Sequence, residues 1–484
     1  MKTKSFFTIM VFCTLTSSAW AEVKPNALFS DNAVLQQNAK VPVWGTAAPN
    51  ENVTVEFAGQ KKNITADAQG RWQVTLDPMP ASTEPRNLTI SGNLKSQISN
   101  FKCSSVLVGE VWVCSGQSNM AFPLAKAANW NTEAHSANYP KLRMFKVELV
   151  NALAPETDVV GKWVESSPAT VKDFSAVGYF FGRDLHKATG LPVGMINSSV
   201  GGTPAEFWTS ASGLKKLPAL HGYLDMLTKK PPQQAKSNNP FNKFPTCYFN
   251  GMVAPLMPYA IKGVVWYQGE SNNGKPLEYR TLFPLMIADW REKWGQGDFP
   301  FLFVQIAPYK DDCPELREAQ FLTWKKTPNT AMAVTVDVGD ANNIHPTHKE
   351  PVGQRLALAA RALAYGEKIE YSGPEYDSMK VDKNRVMLNF KHVGSGLVAK
   401  DGPLKGFTIA GADKKFVDAK AEIQGAMIVV TSDQIASPVA VRYGFTNIPE
   451  GNLWNKQGLP ASTFRTDPES LTQEPPKVKK PPQP

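Results

Sequence analysis

The stretch that decides the fold runs Val106-Leu-Val-Gly-Glu-Val-Trp-Val-Cys114 and continues as Ser115-Gly-Gln-Ser-Asn-Met120. The first part is typical of a buried strand in a parallel sheet, and the second part is typical of a sharp turn. Ser118 is therefore expected at the carboxyl end of a strand, where open α/β sheets place their ligand sites. A serine on such a turn can be presented to a substrate, with nearby backbone N–H groups to stabilise an oxyanion. The alternative is a serine that only caps the following helix.

The first 21 residues predict an exported protein. Lys2 and Lys4 precede an apolar run from Phe6 to Leu15, and Ala19-Trp20-Ala21 has the small-x-small pattern of a cleavage site. The mature chain is expected to begin near Glu22, and no later apolar stretch is long enough to span a bilayer. We therefore expect a secreted or periplasmic protein without membrane attachment after cleavage.

The composition indicates a globular protein with partners other than nucleic acid. The 484 residues are 42% hydrophobic and carry a formal net charge of +9, which is modest for this length. No basic run is interleaved with aromatic residues, so the charge favours solubility and attraction to acidic glycans. The cysteines beyond the leader have no metal-ligand spacing and could form two bridges, with Cys114 equally a plain buried thiol; they are Cys103, Cys114, Cys247 and Cys313.

Short alternating runs at both ends of the mature chain predict two β-sandwich domains, over residues 22–102 and 367–466. The N-terminal strands are expected at Val41–Gly45, Asn52–Phe57, Trp72–Leu76 and Asn87–Ile90. The C-terminal strands are expected at Arg385–Phe390, Phe407–Ile409, Ala426–Thr431 and Val439–Arg442. Residues 467–484, rich in proline and lysine, predict a disordered tail.

The region 103–366 alternates between strand and helix patterns, which predicts a parallel sheet covered on both faces. Helices are expected at Ala176–Ala188, Leu277–Trp294, Pro314–Lys326 and Val352–Tyr365. Strands are expected at Leu191–Asn197, Ile261–Gln268, Phe299–Ala307 and Thr330–Val338. Two irregular segments, Ala127–Ser175 and Lys229–Pro245, are interpreted as long loops over the site.

Four strand ends in this region finish in small or polar residues, and they are expected to meet at one edge of the sheet. They are Ser118, Ser198–Thr203, Gln268–Asn272 and Asp337–His345. A serine nucleophile needs a base, and the chain has only six histidines. His345 closely follows the last strand, and Pro346 fixes the backbone after it, so His345 is favoured over His348.

Three blocks of the sequence resemble the SGNH hydrolases, and more closely the carbohydrate O-acetylesterases that include the sialate O-acetylesterases. The blocks are Gly116-Gln-Ser-Asn-Met120, Trp266-Tyr-Gln-Gly-Glu-Ser-Asn272 and Ile344-His-Pro-x-x-Lys349. The likeness extends over most of the mature chain. It implies an α/β fold with an SGNH-type, flavodoxin-like, three-layer parallel-sheet core between the two β-sandwich domains.

The resemblance also implies a role for each residue type at the site. Ser118 would be the nucleophile and His345 the general base. The oxyanion would be held by the backbone N–H of Ser118, a backbone N–H of the Gly201-Gly202 turn and the side-chain amide of Gln268. Substrate contacts are expected from Gln117, Glu270 and Asn272, and sugar stacking from Trp130, Trp208 and Tyr267. Glu270 could instead be a structural carboxylate that pairs with Arg317.

The third member of the triad departs from the family pattern. SGNH enzymes usually carry Asp three residues before the histidine, and this chain has Asn342 there. An amide can still orient an imidazole, although it stabilises imidazolium less well than a carboxylate. Asp340 is the main alternative, and Asp337 or Glu270 could also supply the charge.

Together these features predict an exported serine esterase that removes O-acetyl groups from carbohydrate through an acetyl-enzyme on Ser118, without metal or cofactor. Sialic acid is the first-choice sugar, and acetylated xylan or xyloglucan is the second. A non-catalytic carbohydrate-binding protein is the alternative from a different class, and only the missing Asp before His345 speaks for it. The sequence does not predict an oligomeric state or a disulfide pairing.

Overall fold

The computed structural model describes residues 23–94, 97–229, 234, 236–239 and 242–467. The predicted signal peptide and, apart from Asp467, the predicted tail lie outside the described residues. Within these ranges, no helix combines the length and apolar character needed to cross a membrane. All four described cysteines are free thiols, so the two possible bridges are absent from this part of the chain.

The first eight strands come from the N-terminal region. They are β1 (Lys24–Pro25), β2 (Val34–Gln36), β3 (Val41–Thr46), β4 (Asn52–Phe57), β5 (Gln60–Thr65), β6 (Arg71–Leu76), β7 (Ser82–Leu94) and β8 (Gln97–Gly116). Strands β1, β3 and β6 form one small sheet, and β2, β4, β5 and β7 join a larger sheet through β8. The alternating pattern predicted β3, β4, β6 and part of β7, and β4 and β6 bury every second side chain against a shared core.

Strand β8 crosses the predicted boundary between the N-terminal and central domains at residues 102 and 103. Its first part pairs antiparallel with β7, and its last seven residues, Glu110–Gly116, lie in the central sheet. The N-terminal and central regions therefore share one 11-stranded sheet rather than meeting at a flexible linker. Because β8 is paired in both sheet regions, the strand that leads into Ser118 is held near both of its ends.

The central region contains all of the α-helices that the structure describes. Its helices are α1 (Ser118–Ala121), α2 (Trp130–Ser136), α3 (Ala176–Thr189), α4 (Ala211–Lys215), α5 (His221–Lys229), α6 (Pro276–Trp294), α7 (Pro314–Lys326) and α8 (Glu350–Tyr365). Its strands are β9 (Tyr139–Lys146), β10 (Asn151–Ala152), β11 (Trp163–Ser166), β12 (Val193–Ser199), β13 (Lys236–Ser237), β14 (Gly263–Tyr267), β15 (Phe301–Val304) and β16 (Thr330–Ala333).

The central part of the sheet has the order β11-β9-β12-β8-β14-β15-β16, and only β11 in this path runs antiparallel to its neighbour. Val111 and Val113 face a core that includes α6 and α7. Trp112 and Cys114 face a second core that includes α3 and α8. Successive side chains of a strand point to opposite faces, so each face of β8 packs into a core that contains helical residues.

The segment Ala127–Ser175 is not irregular as predicted, because it contains α2, β9 and β11. Strand β9 pairs in parallel with β12, inside the central sheet. Pro140 and the charged side chains of the strand hide its pattern in the sequence. Arg143 is buried, and its guanidinium is satisfied by Asn32 Oδ1 at 2.5 Å and Glu165 at 3.0 Å. Such tertiary partners allow a charged residue to occupy a sheet position.

The longer predicted helices are confirmed, with ends within a few residues of the expected ones. The side chain of Ser175 caps the start of α3 by accepting a hydrogen bond from Gly178 N at 3.0 Å. Gly190, Gly295 and Gly366 end α3, α6 and α8 in the left-handed conformation, with φ angles of 69°, 67° and 70°. These glycines were readable as stop signals because residues with a Cβ rarely adopt that backbone.

The described C-terminal region forms two four-stranded sheets and one two-stranded sheet, β19 with β25, which share a core. Its strands are β17 (Glu375–Asp382), β18 (Arg385–Lys391), β19 (Leu397–Ala399), β20 (Phe407–Ala410), β21 (Val417–Asp418), β22 (Lys420–Gln424), β23 (Met427–Thr431), β24 (Ala440–Tyr443), β25 (Leu453–Asn455) and β26 (Phe464–Arg465). Buried polar contacts attach this region to α7, where Glu318 accepts from Arg465 at 2.8 Å.

Candidate active site

Ser118 lies at the turn where β8 ends and α1 begins. Gly116 precedes it with a φ of 131°, and a Cβ at this position would lie 2.1 Å from the carbonyl oxygen of Tyr267. Gln117 N donates to the same carbonyl at 3.0 Å, which ties the turn to the end of β14. Only glycine permits this close approach, so the sequence Ser-Gly-Gln-Ser dictates a sharp turn. The serine hydroxyl then stands at the start of a helix, where backbone N–H groups lack intrahelical acceptors.

His345 contacts the serine directly. Its Nε2 lies 2.7 Å from Ser118 Oγ, although the two residues are 227 positions apart. The imidazole is half-buried, and burial together with the cations of Lys349 and Lys126 lowers the pKa of His345 below its usual 6.5. The alternative His348 is exposed. The fold therefore brings together the two residues that sequence reasoning placed at the centre of the site.

None of the predicted third members contacts the histidine side chain. Asn342 is exposed, and its backbone N–H donates to Asp340 Oδ1 at 2.9 Å. Asp337 forms a two-point pair with Arg355, at 2.7 Å for each oxygen. Among the described residues, no side chain accepts a hydrogen bond from Nδ1 of His345. The expectation that Asn342 or Asp340 completes a triad is not met in this structure, because neither side chain hydrogen-bonds to the imidazole within the described residues.

The Gly201-Gly202 turn lies against the other side of the serine. Val200 N donates to Gly116 O at 3.0 Å, and a Cβ on Gly201 would lie 3.5 Å from Ser118 Cβ. Gly202 has a φ of 63°, a conformation that favours glycine. Lys243 donates to the carbonyl oxygens of Gly201 at 3.0 Å and Gly202 at 3.2 Å. These contacts hold the glycine turn beside Ser118, as the sequence predicted.

Gln268 lies beneath this turn rather than facing Ser118. It is fully buried, and its Nε2 donates to Asn272 Oδ1 at 2.6 Å and to Thr203 O at 3.3 Å. Its Oε1 accepts from Tyr279 at 3.0 Å. An amide nitrogen has only two hydrogens, and both are used. The predicted role of Gln268 as an oxyanion donor is therefore a wrong interpretation, because its amide supports the glycine turn instead.

Several predicted substrate contacts are also structural. Gln117 and Asn272 are only 3% and 2% exposed. Gln117 Oε1 accepts from Ser271 N at 3.1 Å, and Asn272 donates to Glu206 at 3.0 Å. The predicted stacking residues Trp208 and Tyr267 are fully buried, so they cannot offer a ring to a sugar. Trp130 is half-exposed.

Glu270 faces the serine helix, and no ion pair joins it to Arg317 within the described residues. Its Oε1 accepts from Asn119 Nδ2 at 2.6 Å, and burial raises its pKa. Arg317 instead donates to the carbonyl oxygens of Thr446 and Asn447 in the C-terminal region. Glu270 therefore belongs to the active site, and Arg317 belongs to the contact between the central and C-terminal regions.

Asn119 and Lys349 lie within the sequence motifs, but the sequence predicted a role for neither residue. Asn119 Nδ2 also donates to Ile344 O at 2.9 Å, and Lys349 Nζ donates to Asn119 Oδ1 at 2.5 Å. Lys349 is fully buried with its ammonium 4.9 Å from the centre of the Phe122 ring, and burial lowers its pKa to about 7. The only signal in the sequence was that both residues stand beside the catalytic candidates.

The chain was compared with known families and proteins. Residues 108–362 match the family model described as carbohydrate esterase, sialic acid-specific acetylesterase. Sialate O-acetylesterase of Rattus norvegicus is 32% identical over 425 residues, which cover 76% of this chain and 78% of the rat protein. The human sialate O-acetylesterase is 33% identical over 405 residues, 75% of each chain.

A solved structure gives an independent match. The crystal structure of a carbohydrate acetylesterase from Xanthomonas citri is 39% identical, with a TM-score of 0.84. The match covers 92% of this chain and all of that one. The resemblance predicted from the motifs is thus confirmed, and the contact between Ser118 and His345 lies inside the matched region. This chain belongs to the sialic acid-specific acetylesterase family of carbohydrate esterases and is a carboxylic ester hydrolase.

Proposed function

We propose that this protein removes O-acetyl groups from carbohydrate through a covalent acetyl-enzyme on Ser118, in a three-layer core of the SGNH type. The observation that carries the proposal is the 2.7 Å contact between Ser118 Oγ and His345 Nε2. A nucleophile within hydrogen-bond reach of a base is the arrangement that activates a serine hydroxyl. The family membership directs this chemistry to an ester of a carbohydrate.

The reaction proceeds in two steps. Ser118 Oγ attacks the acetyl carbon while His345 takes the hydroxyl proton, and the bond from that carbon to the sugar oxygen then breaks. His345 gives its proton to the departing sugar oxygen. Water next attacks the acetyl carbon while His345 takes one of its protons. The bond from that carbon to Ser118 Oγ then breaks, His345 returns the proton to Ser118 Oγ, and the acetyl group leaves as acetic acid, which ionises to acetate. Atoms and charges balance without a metal or redox cofactor.

The backbone N–H groups of Ser118 and Gly202 are our candidates for the oxyanion hole. Ser118 contributes an N–H at the start of α1, and the glycine turn lies against its Cβ. With Gln268 engaged beneath the turn, backbone groups provide this stabilisation. Backbone donors are well suited because they are fixed before the reaction begins.

We propose an O-acetylated sialic acid as the substrate. The curated relatives from rat and human are named sialate O-acetylesterases. Two lysines also stand near the serine: Lys126 is exposed and acts on the charge of His345, while Lys243 contacts the glycine turn. Positive charge at the rim favours a sugar that carries a carboxylate. Acetylated xylan or xyloglucan is the competing substrate class.

We also propose that the protein is exported. The support is the basic start, the apolar run Phe6 to Leu15 and the Ala19-Trp20-Ala21 site. N-terminal sequencing of the protein recovered from the host's periplasm or medium should give a chain that starts near Glu22. A chain that retains Met1 in the cytoplasm would contradict export.

Hydrolysis of p-nitrophenyl acetate by the purified protein and by Ser118→Ala tests the mechanism. We expect the variant to lose kcat by about 10⁴-fold or more, because serine hydrolases depend on the nucleophile to this degree. His348→Ala, which changes an exposed neighbour of the site, is the matched control and should stay close to wild type. Equal activity of Ser118→Ala and wild type would refute the serine mechanism. No turnover by either would favour a carbohydrate-binding protein.

Substrate choice needs a second assay. Acetate release should be measured from O-acetylated sialic acid beside acetylated xylan and xyloglucan, at equal concentrations of acetyl groups. Higher kcat/KM on the sialic acid supports the proposal, and Lys126→Met should reduce this preference. A preference for the neutral polysaccharides would assign the second substrate class instead.

A further inference from the structure

Residues 118 and 119 form two hydrogen bonds to residues 345 and 344, on the loop of the proposed base. Ser118 Oγ contacts His345 Nε2 at 2.7 Å, and Asn119 Nδ2 donates to Ile344 O at 2.9 Å. A single hydrogen bond fixes a distance but leaves rotation free, whereas two bonds from adjacent residues also fix the orientation. The backbone beside the histidine is therefore anchored to the side chain of the residue that follows the serine.

Asn119 is itself held on every polar atom of its side chain. Its oxygen accepts from Lys349 at 2.5 Å, and its nitrogen donates to Glu270 at 2.6 Å as well as to Ile344. Asn119 is only 1% exposed and Lys349 is fully buried, so water does not compete for these bonds. Hydrogen bonds to charged groups away from water are among the strongest in proteins.

Lys349 closes this arrangement on the same loop that carries the base. It lies four residues after His345, immediately before α8. Its ammonium also lies 4.9 Å from the centre of the Phe122 ring and 5.2 Å from that of the Tyr267 ring. Asn119 therefore binds the histidine loop on both sides of the imidazole, at Ile344 and at Lys349.

A carboxylate partner would normally perform this orienting task. In this chain neither Asn342 nor Asp340 hydrogen-bonds to the imidazole within the described residues, and His345 N donates to Asn343 Oδ1 at 2.9 Å within its own loop. Lys349 carries the opposite charge to a carboxylate. It can thus help to orient His345 without stabilising the imidazolium form.

We propose that Asn119, locked by Lys349 and Glu270, is the positioning residue that replaces the carboxylate of the usual triad. The inference rests on the proposed esterase function and assigns the three residues to orientation of His345. In a usual triad the charged group behind the base is a negative carboxylate, whereas here it is the positive ammonium of Lys349. The charged groups that act on His345 are Lys349 and Lys126, and Glu270 balances Lys349.

The first experiment compares Asn119→Ala and Asn119→Asp with wild type on p-nitrophenyl acetate. Asn119→Asp keeps an oxygen for Lys349 but cannot donate to Ile344 O. We expect both variants to lose kcat by about 10²-fold with KM changed by less than about threefold, since orientation of the base acts on the chemical step. Asn342→Ala and Asp340→Ala are the matched controls, and each should keep kcat within about threefold of wild type.

The second experiment tests whether the charge of Lys349 acts on the pKa of His345 or whether Lys349 and Glu270 are needed only for the fold. Lys349→Met removes the buried cation, and Glu270→Gln with Lys349→Met removes both charges and keeps the buried site neutral. In each variant the acid limb of the kcat/KM profile should shift to higher pH, because the imidazolium no longer faces Lys349. A structural defect alone would lower activity without moving this midpoint.

The outcomes distinguish the inference from the function on which it rests. If turnover depends on Ser118 but both Asn119 variants keep wild-type kcat, the positioning role is refuted. A loss of about 10³-fold in Asn342→Ala or Asp340→Ala would also refute it, by restoring an ordinary triad member. If Asn119→Ala does not fold, the kcat of Asn119→Asp and the pH profiles of the Lys349 and Glu270 variants test the positioning role instead. If wild type shows no Ser118-dependent turnover, the proposed function itself fails.

Discussion

Of the buried side chains on either side of Ser118, those that hold the glycine turn are neutral, whereas those that hold the histidine loop are charged. Lys243, which also contacts the glycine turn, is only partly buried. Gln268 and Trp208 hold the glycine turn through Thr203, with all groups fully buried. Lys349 and Glu270 hold the histidine side through Asn119. Neutral amides and indoles do not titrate in the working range, but a buried lysine with its pKa lowered to about 7 does.

The difference indicates how the site divides its work. The oxyanion stabiliser needs the same geometry at every pH, because the developing charge on the substrate oxygen does not depend on pH. The base must change its charge in each step, so its surroundings set the pH range of activity. Substitutions on the two sides should therefore differ in their dependence on pH as well as in size.

The largest effect is expected from removal of the base. His345→Ala should lower kcat on p-nitrophenyl acetate by about 10⁴-fold or more, because no other described side chain hydrogen-bonds to Ser118 Oγ. Steady-state kinetics at several pH values measures the loss. His348→Ala serves again as control. A His345→Ala protein with more than about a tenth of wild-type kcat would place the base elsewhere.

On the neutral side, Gly202→Ala should lower kcat by about 10²-fold, since the loss of one oxyanion donor costs this much. Alanine at a φ of 63° is strained, and relief of the strain would move the N–H away from the oxyanion position. The loss should be equal at acid and alkaline pH. Gly222→Ala is the matched control because a Cβ there meets nothing within 4 Å. Unchanged kcat in Gly202→Ala would remove this turn from the oxyanion hole.

Gln268→Leu should mainly affect stability. Thr203 O would lose its buried donor, and a group left unpaired costs about 1–3 kcal/mol, whereas Asn272 Oδ1 would keep the hydrogen bond from Ala205 N. Urea unfolding should show the lower free energy of unfolding, with kcat reduced about tenfold by the loosened turn. Gln354→Leu, on the exposed face of α8, should leave stability within about 0.5 kcal/mol. Full stability in Gln268→Leu would contradict its supporting role.

The smallest effect is a shift in the pH profile. The base must be neutral to accept the serine proton, so kcat/KM should fall on the acid side with a midpoint below 6.5, the usual pKa of histidine. Burial and the nearby cations disfavour the imidazolium and set this direction. Lys126→Met should raise the midpoint slightly, because an exposed cation is well screened. A wild-type midpoint above 6.5 would indicate a carboxylate beside His345.

Much of the framework was predictable because local sequence rules dominate it. Helix α3 is bounded by Ser175 and Gly190, and the predicted helix Pro314–Lys326 has the same bounds as α7. In contrast, β9 was missed because its buried Arg143 depends on distant partners such as Asn32. The predicted domain boundary fell inside β8 because a single strand can serve two sheet regions.

At the site, the sequence by itself determined that Ser118 and His345, the proposed nucleophile and base, emerge at one edge of the sheet, because the Gly116 turn and the strand ends dictate their positions. Only the tertiary structure decided which side chains support them. Gln268 follows a strand end just as a donor to the oxyanion would, yet its partners Thr203 and Asn272 direct it beneath the turn. Hydrogen bonds between residues far apart in the chain set side-chain direction, and no local pattern encodes them.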